Sequence, residues 1–337
     1  MVYKINVPLV GGGTRKKDII DANNNLTVDE IRVETLEEAW QGFGANASYG
    51  YAAGGNPFSN VIQKYSFSSD GNATDVGDLL NNRHRSSGQS SSTSGYASGG
   101  ATNNPAPPPP LVATNAIEKW PFATDTNASD VGDLTETKQY PIGQSSTASG
   151  YVSGGYPNLN TIEKFPFSSD ANATDVGDLT VGRNEGGGQS SETDGYFSGG
   201  SVSGTSQNTI DKFPFSSDAN ATDVGNLTEA RMRLAGGQSS ADNGYTSGGL
   251  PAFGQPSANI IDKFPFSSDA NATDVGDLTQ ARSYSSGTSS SSSGYAAGGF
   301  APPQVNTIDK FPFSSDANAT DVGDLLLSKT DTSGTQG

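Results

Sequence analysis

Residues 161–179 read TIEKFPFSSDANATDVGDL, and close copies of this phrase occur six times along the 337-residue chain. The copies end at Leu79, Leu134, Leu179, Leu227, Leu278 and Leu325. A second phrase, Gly-Tyr-x-x-Gly-Gly, precedes each copy, and its tyrosines lie 45, 55, 45, 49 and 50 residues apart. A period near 50 residues indicates one supersecondary unit that is repeated. Such units bury their apolar faces against one another, so we expect one large repeat domain.

Each copy contains four short segments with the composition of β-strands. In the fourth copy these are residues 188–191, 196–200, 209–215 and 223–227, separated by turns rich in glycine, aspartate and asparagine. The pattern predicts a four-stranded antiparallel meander with apolar residues on both faces, because both faces pack against neighbouring units. Pro166 lies inside a third strand, where proline removes a ladder donor, so we expect a bulge or a break there.

The repeat therefore predicts an all-β fold, a six-bladed β-propeller with a short non-repeat N-terminal segment. The expected blades are residues 42–81, 82–136, 137–181, 182–229, 230–280 and 281–327. Since each blade is built from contiguous sequence, we expect the ring to close by packing of blade on blade, and residues 328–337 to form a flexible tail. Residues 1–41 either dock the propeller on a larger assembly or help to close the ring; residues 31–40 suit a short helix and residues 26–33 a strand.

Composition limits the class of partner. The net charge is -17, whereas phosphate backbones and anionic membranes select clustered lysine and arginine. We therefore expect no nucleic-acid partner and no membrane insertion, and no run of the sequence approaches transmembrane length. The first residues lack the apolar core and cleavage site of a signal peptide, which predicts synthesis in a cytoplasm. The chain has no cysteine, so it forms neither disulfides nor thiolate metal sites.

The repeat also predicts which loops bind. Strands of a meander alternate in direction, so the turns between strands one and two and between strands three and four project from one face, here called the turn face. The loops between strands two and three and between blades project from the other, the variable-loop face. The turn between strands three and four is nearly invariant among the copies, whereas the loops of the other face differ in every blade.

Loops on a rigid scaffold often bind ligands, and arginine and tyrosine are common interface anchors. The candidate binding residues are Phe58, Arg83, His84, Arg85, Tyr140, Tyr156, Arg183, Arg231, Arg233, Phe253, Arg282, Tyr284 and Phe300. The alternative interpretation is sequence drift in loops that no function constrains.

The sequence offers little for catalysis. His84 is the one histidine, in a loop that no other blade repeats, so we expect a solvated side chain and no serine triad. Carboxylates that recur six times indicate structure rather than a differentially tuned acid–base pair. We therefore expect no enzymatic activity, no catalytic residue, no cofactor and no metal. Asp170, Asn172 and Asp175 alternate like calcium ligands, but the loop lacks the usual glycine and glutamate, and turn capping explains the same residues.

The order of the repeat resembles a known one. A Gly-Gly pair, a variable loop, an apolar strand ending in an aromatic residue, a polar turn and a short strand, followed by Ala230-Arg231 or Ala281-Arg282, resemble the kelch repeat over residues 42–325. The chain departs from that pattern where Val-Gly-Asp replaces the tryptophan of the fourth strand. The near-identical, glycine-rich copies are also similar to the kelch-like arrays of marine bacteriophage virion proteins, including tail fibres.

This resemblance implies a function. We expect a non-enzymatic virion structural protein, a phage appendage, fibre-associated or surface protein, that uses its variable-loop face for host-surface or subunit recognition. Its partners would be other virion proteins, through residues 1–41, and a host glycan or surface protein. The alternative is a bacterial carbohydrate- or protein-binding propeller, and a hydrolase or oxidase is the third class.

Overall fold

The computed structural model describes residues 7–8, 14–15, 47–103 and 111–337. The chain divides into two units, residues 1–42 and residues 43–337. In the first, Val7–Pro8 pairs antiparallel with Thr14–Arg15. The helix or strand expected within residues 26–40 lies outside the described residues, so the docking or ring-closing role of this segment stays a prediction. In the described ranges no helix is long and apolar enough to cross a membrane.

The second unit is a six-bladed β-propeller, as the repeat predicts, and each blade is a four-stranded antiparallel sheet. In blade order, the first strands are Ser333–Gln336, Ser87–Ser90, Ile142–Ser145, Gly187–Ser190, Gln238–Ser239 and Ser286–Ser289. The second strands are Tyr49–Ala53, Ser94–Ser98, Ser149–Ser153, Asp194–Ser198, Asn243–Ser247 and Ser293–Ala297. The third strands are Val61–Ser66, Ala116–Pro121, Thr161–Pro166, Thr209–Pro214, Ile260–Pro265 and Thr307–Pro312. The fourth strands are Thr74–Asp78, Ser129–Asp133, Thr174–Asp178, Thr222–Asn226, Thr273–Asp277 and Thr320–Asp324.

The ring closes through a strand from the C-terminal end of the chain, which corrects the expectation of closure by packing alone. Ser333–Gln336 is the first strand of blade one and pairs antiparallel with Tyr49–Ala53, with Tyr51 opposite Thr335. Residues 328–337 are therefore not a flexible tail, and blade one is not contiguous in sequence. The physical reason is that an inner edge left without a partner would expose a row of unpaired backbone groups.

The proline in the third strand also differs from expectation, because it ends the strand without breaking it. Pro166 lies opposite Ser149 at the end of the ladder, and Phe167 N donates to Ala148 O beyond it. Pairing with the fourth strand ends at Lys164 and Thr174, before the proline is reached. The N–H that proline lacks is therefore not needed for a hydrogen bond to the fourth strand. The register shift falls elsewhere, between Ile162 and Glu163.

Blades adhere through aromatic pairs. The tyrosine of each Gly-Tyr phrase is buried and stacks on a phenylalanine of the next blade, as Tyr151 does on Phe215 at 4.7 Å between ring centroids. The same contact joins blade six to blade one, where Tyr295 lies 4.5 Å from Phe67. The buried apolar residues accordingly form six clusters, each shared by two blades. A blade thus has its core only in the presence of its neighbours.

The first strands crowd around a central channel, and each contains a glycine or, in blade five, directly follows one. A Cβ atom on Gly143 would lie 2.1 Å from Gly88 O in the preceding blade. The equivalent glycines are Gly88, Gly143, Gly188, Gly237, Gly287 and Gly334, and each would meet a backbone atom of another blade at a similar distance. The side chain of any other residue would therefore push the blades apart.

A ring of hydrogen bonds runs around the same channel. In each blade a backbone N–H donates to a side-chain oxygen of the next blade at 2.8–3.0 Å. The residues are Ser90, Ser145, Ser190, Ser239, Ser289 and Gln336. Gln336 accepts from Ser289 and donates to Ser90 Oγ, so the last strand completes the ring.

Candidate binding face

The two sets of variable loops lie together on one face of the propeller. Isolated bridges join the loop between blades to the loop after the Gly-Gly pair, at Gln139 with Tyr156 and at Ser283 with Phe300. Three of these loops contain further strands. Arg83–His84, Ala101–Asn103 and Leu111–Ala113 form a three-stranded sheet, and Ser201–Val202 pairs with Thr205–Ser206.

The invariant turns of the opposite face join one blade to the next. Asn172 Oδ1 accepts from Asp133 N of the preceding blade at 3.0 Å, and Ala173 N donates to Asp133 O at 2.8 Å. Lys119 lies 3.1 Å from Asp170, and equivalent ion pairs join every successive pair of blades. Packing between blades thus accounts for the invariance of this motif. The described residues contain no cluster of three or more His, Cys, Asp or Glu side chains suited to a metal ion.

Four of the candidate binding arginines are structural, which corrects the sequence-based prediction. Arg83, Arg183, Arg231 and Arg282 are at most 1% exposed, each paired with a buried acid of the next third strand. Arg231 Nη2 lies 2.5 Å from Asp262 Oδ2, and its Nη1 donates to Gly248 O at 2.6 Å. These side chains are enclosed between blades, because the buried carboxylate requires a cation as its partner. They are not available to a ligand.

The same position in the other two blades holds lysine, which sequence analysis missed. Lys138 is fully buried and lies 2.6 Å from Glu163. Lys329 faces the position where Gln63 replaces the acid, and it donates instead to Gly54 O and Ser59 Oγ. Burial lowers the pKa of Lys329 to about 8. The sequence did contain a sign of these buried pairs: in the third strand of each blade an acidic or amide residue follows isoleucine.

His84 is buried, not solvated as expected. It is 3% exposed, and its ring lies 4.2 Å from that of Phe58, which is itself half-buried. The three-stranded sheet explains the burial, because His84 pairs with Ala101 in it. Burial, reinforced by the nearby charge of Arg85, lowers the pKa of His84 to about 4, so the imidazole is neutral at pH 7.

Three candidate aromatics remain exposed on the variable-loop face. Tyr156 and Phe253 are 58% exposed and Phe300 is 42% exposed. They come from loops of three different blades. These three residues, called the rim aromatics below, present apolar area to solvent, although the guanidinium of Arg233 lies 4.7 Å from the centre of the Phe253 ring.

The other four candidates gather at the centre of the face, at the mouth of the channel. Arg85, Tyr140, Arg233 and Tyr284 each lie just before the first strand of a blade. Glu185 and Asp331 occupy the same position in the remaining two blades and were not predicted. All six have a left-handed backbone, with φ between 54° and 60°. We call these six residues the channel-mouth ring.

Such a backbone is uncommon for residues other than glycine and asparagine, and it is retained only where the surrounding structure enforces it. Here the enforcement is a chain of backbone hydrogen bonds from blade to blade: Tyr140 N donates to Arg85 O at 2.9 Å, and Tyr284 N donates to Arg233 O at 2.8 Å. The conformation directs six side chains toward one place.

The side chains of the ring contact one another across and around the channel. Tyr140 and Tyr284 belong to opposite blades, three and six, and their rings stack at 5.8 Å between centroids. The guanidinium of Arg85 lies 4.7 Å from the ring of Tyr140, and that of Arg233 lies 4.9 Å from the ring of Tyr284. Burial raises the pKa of both tyrosines, so both phenols are protonated at pH 7.

The ring lines a cavity of about 120 Å³ that continues inward to the channel glycines. Its wall also includes Ser86, Ser285 and Thr332, whose hydroxyl groups both donate and accept hydrogen bonds. A single ordered water needs only about 10–15 Å³ in the same measure. The cavity therefore has room for a small molecule.

Comparisons with known proteins bear on the fold. No family model matches the sequence, and no curated protein matches it. Among solved structures, that of YjhT is similar with a TM-score of 0.68 and 12% sequence identity, covering 83% of this chain and 96% of the YjhT chain. At that identity the likeness shows a shared propeller fold and does not extend to a ligand or an activity.

Proposed function

We propose that this chain is a non-enzymatic, kelch-like recognition propeller of a phage particle, and that its variable-loop face binds a host-surface glycan or protein or a neighbouring subunit. The phage setting rests on the resemblance of the repeats to virion proteins. The same face would serve a bacterial carbohydrate-binding propeller, which is the second candidate. The cavity at the channel mouth favours a carbohydrate ligand in either setting.

The observation that supports this proposal most is the difference between the two faces of the propeller. The invariant turns are engaged in hydrogen bonds and ion pairs between blades, whereas the variable loops leave the rim aromatics exposed. Drift alone would replace exposed aromatics with polar residues as readily as it keeps them. Exposed aromatic side chains on a rigid scaffold are typical of an interface.

A competition experiment tests the proposal. Host cells are incubated with purified protein before phage is added, and the fraction of phage adsorbed is counted. We expect the wild-type protein to reduce adsorption, and the triple variant Tyr156→Ser, Phe253→Ser and Phe300→Ser to lose this effect. The control carries Ala171→Ser, Ala219→Ser and Ala270→Ser at exposed positions of the turn face and should compete like wild type. Equal competition by all three proteins would overturn the proposal.

A further inference from the structure

The channel-mouth ring has a pseudo-twofold order. Around the axis it reads Arg85, Tyr140, Glu185, Arg233, Tyr284 and Asp331, so the sequence arginine, tyrosine, acid occurs twice. Opposite members therefore match in type. The two halves differ by one methylene group, because one acid is glutamate and the other is aspartate.

In one half of the ring the acid is paired with other members of the ring. Glu185 Oε1 accepts a hydrogen bond from Tyr284 Oη at 2.9 Å, and Glu185 Oε2 lies 3.5 Å from Arg233 Nε. The longer glutamate thus reaches both the arginine and a tyrosine. The carboxylate of Glu185 is therefore paired at both oxygens, although Arg233 Nε makes no hydrogen bond.

The acid of the other half, Asp331, has no such partner within the ring. Among the described residues, Asp331 and Arg85 make no ion pair with each other or with another residue. Asp331 Oδ2 accepts from Thr330 Oγ1 at 2.9 Å, whereas Asp331 Oδ1 is shielded from solvent without a hydrogen bond. Arg85 Nη1 donates to Gln139 Oε1 at 2.7 Å, and Arg85 Nε is shielded without a hydrogen bond. A shielded carboxylate oxygen and a guanidinium nitrogen without partners are energetically unfavourable unless something pairs with them. Both belong to residues that line the same cavity.

The charges of the ring restrict what that partner is. Two arginines and two acids surround the cavity, so a simple anion is repelled by the acids and a simple cation by the arginines. A neutral molecule with many hydroxyl groups meets neither repulsion. Each hydroxyl donates to an acid or accepts from an arginine.

We propose that the channel-mouth ring is a binding site for one neutral monosaccharide unit, held chiefly by Asp331 and Arg85. The site deepens the recognition function proposed above and rests on it for its biological role. The hydroxyls of the sugar donate to Asp331 and accept from Arg85, which completes the half of the ring that lacks internal pairs. The unit is either a free sugar or the terminal residue of a glycan, since both present the same hydroxyls.

Titration calorimetry on the full chain tests the site, with glucose, galactose, mannose and N-acetylglucosamine as probes. We expect at least one of these sugars to bind with a dissociation constant of about 1 mM or lower. Glucosamine, as the cation, and glucuronate, as the anion, should bind more weakly than the corresponding neutral sugars. Equal binding of the methyl glycoside identifies a glycan terminus, and loss of binding identifies a free sugar.

Substitution to glycine removes a side chain of the ring without threatening the fold, because glycine favours the left-handed backbone at these positions. Asp331→Gly and Arg85→Gly should each weaken sugar binding tenfold or more. The matched control is Ser203→Gly, an exposed residue with φ of 49° in the hairpin of blade four, and it should bind like wild type. Thermal unfolding of each variant verifies that the propeller is intact.

Two results would overturn the inference. In the first, no probe binds and the cavity holds water only. In the second, a sugar binds with unchanged affinity to Asp331→Gly and Arg85→Gly, which places it elsewhere. Either result leaves the proposed function standing if the rim aromatics still govern phage adsorption. The converse pair of results is sugar binding that depends on the channel-mouth ring and phage adsorption that is unaffected by substitution of the rim aromatics. That pair of results would overturn the proposed function and leave the sugar site standing.

Discussion

Asp331 is a buried acid of the channel-mouth ring with a shifted pKa. Burial raises its pKa from 3.8 to about 6, a rise that the charge of Glu185 supports and that Arg85, Arg233 and the hydrogen bond from Thr330 oppose. The carboxyl group therefore holds its proton more tightly in the folded chain than in the unfolded chain. Such a group favours folding below pH 4 relative to pH 7, because folding loses stability as pH rises through this window.

Asp331→Asn removes this dependence, since an amide does not titrate. We expect the variant and the wild type to have similar free energies of unfolding at pH 4, and the variant to be more stable at pH 7 by on the order of 2 kcal/mol. Urea denaturation at the two pH values measures the difference. Ser292→Asn, which adds an amide at an exposed position of the turn face, should keep the pH dependence of the wild type. A constant difference between pH 4 and pH 7 would contradict the assignment.

Arg231 differs from Asp331 because its charge is paired in the folded chain, with Asp262. Arg231→Met leaves Asp262 buried without a cation, which costs about 3–5 kcal/mol. Arg85→Met removes an arginine that has no ion pair among the described residues, so we expect a change within about 1 kcal/mol. Chemical denaturation of the two variants at pH 7 compares them. Equal losses would mean that the buried pairs contribute no more than the arginines of the channel mouth.

The element that positions the candidate site is the first strand of each blade. These strands approach the axis so closely that Gly143→Ala would place a methyl group 2.1 Å from Gly88 O. The clash can be relieved only by a shift of the backbone in two blades. We therefore expect the free energy of unfolding to fall by more than about 2 kcal/mol, comparable to overpacking of a core.

Gly71 provides the matched control for this prediction. It lies in the turn of blade one where the other blades have alanine or threonine, and a Cβ atom there meets nothing within 4 Å. Gly71→Ala should be neutral or stabilise the fold by up to about 1 kcal/mol. Thermal unfolding of both alanine variants is the measurement. A similar effect of the two substitutions would contradict the close approach of the first strands.

The elements were largely predictable from the sequence, and the site was only partly so. Strands and blades follow from local composition, as in Asp194–Ser198 and Thr209–Pro214, and the repeat shows the same pattern in six copies. Whether an arginine in a loop is buried or exposed to the channel is not determined by its sequence neighbours. Arg83 and Arg85 are two residues apart, yet one is enclosed between blades and the other lies at the channel mouth. The choice depends on an acid in the next blade, such as Glu118 for Arg83.

The ring closure was within reach of the sequence but was missed. Residues 332–335 read Thr-Ser-Gly-Thr, which parallels the Ser-Ser-Gly-Thr of residues 285–288 in the first strand of blade six. A short, polar, glycine-containing segment at a chain end looks like a tail, because its strand character comes only from its neighbours in the ring. The channel contacts of Gly334 and Gln336 exist only after all six blades have assembled.

The propeller is a closed ring, in which the last strand joins the first blade and sets the sixth position of the channel mouth. Hydrogen exchange measured by mass spectrometry tests this directly. We predict that the backbone amides of Ser333–Gln336 exchange as slowly as those of Ile142–Ser145, the equivalent strand of blade three, and far more slowly than the exposed turn at residues 68–71. Exchange of the last strand at the rate of an unstructured peptide would contradict the closed ring and the binding site built on it.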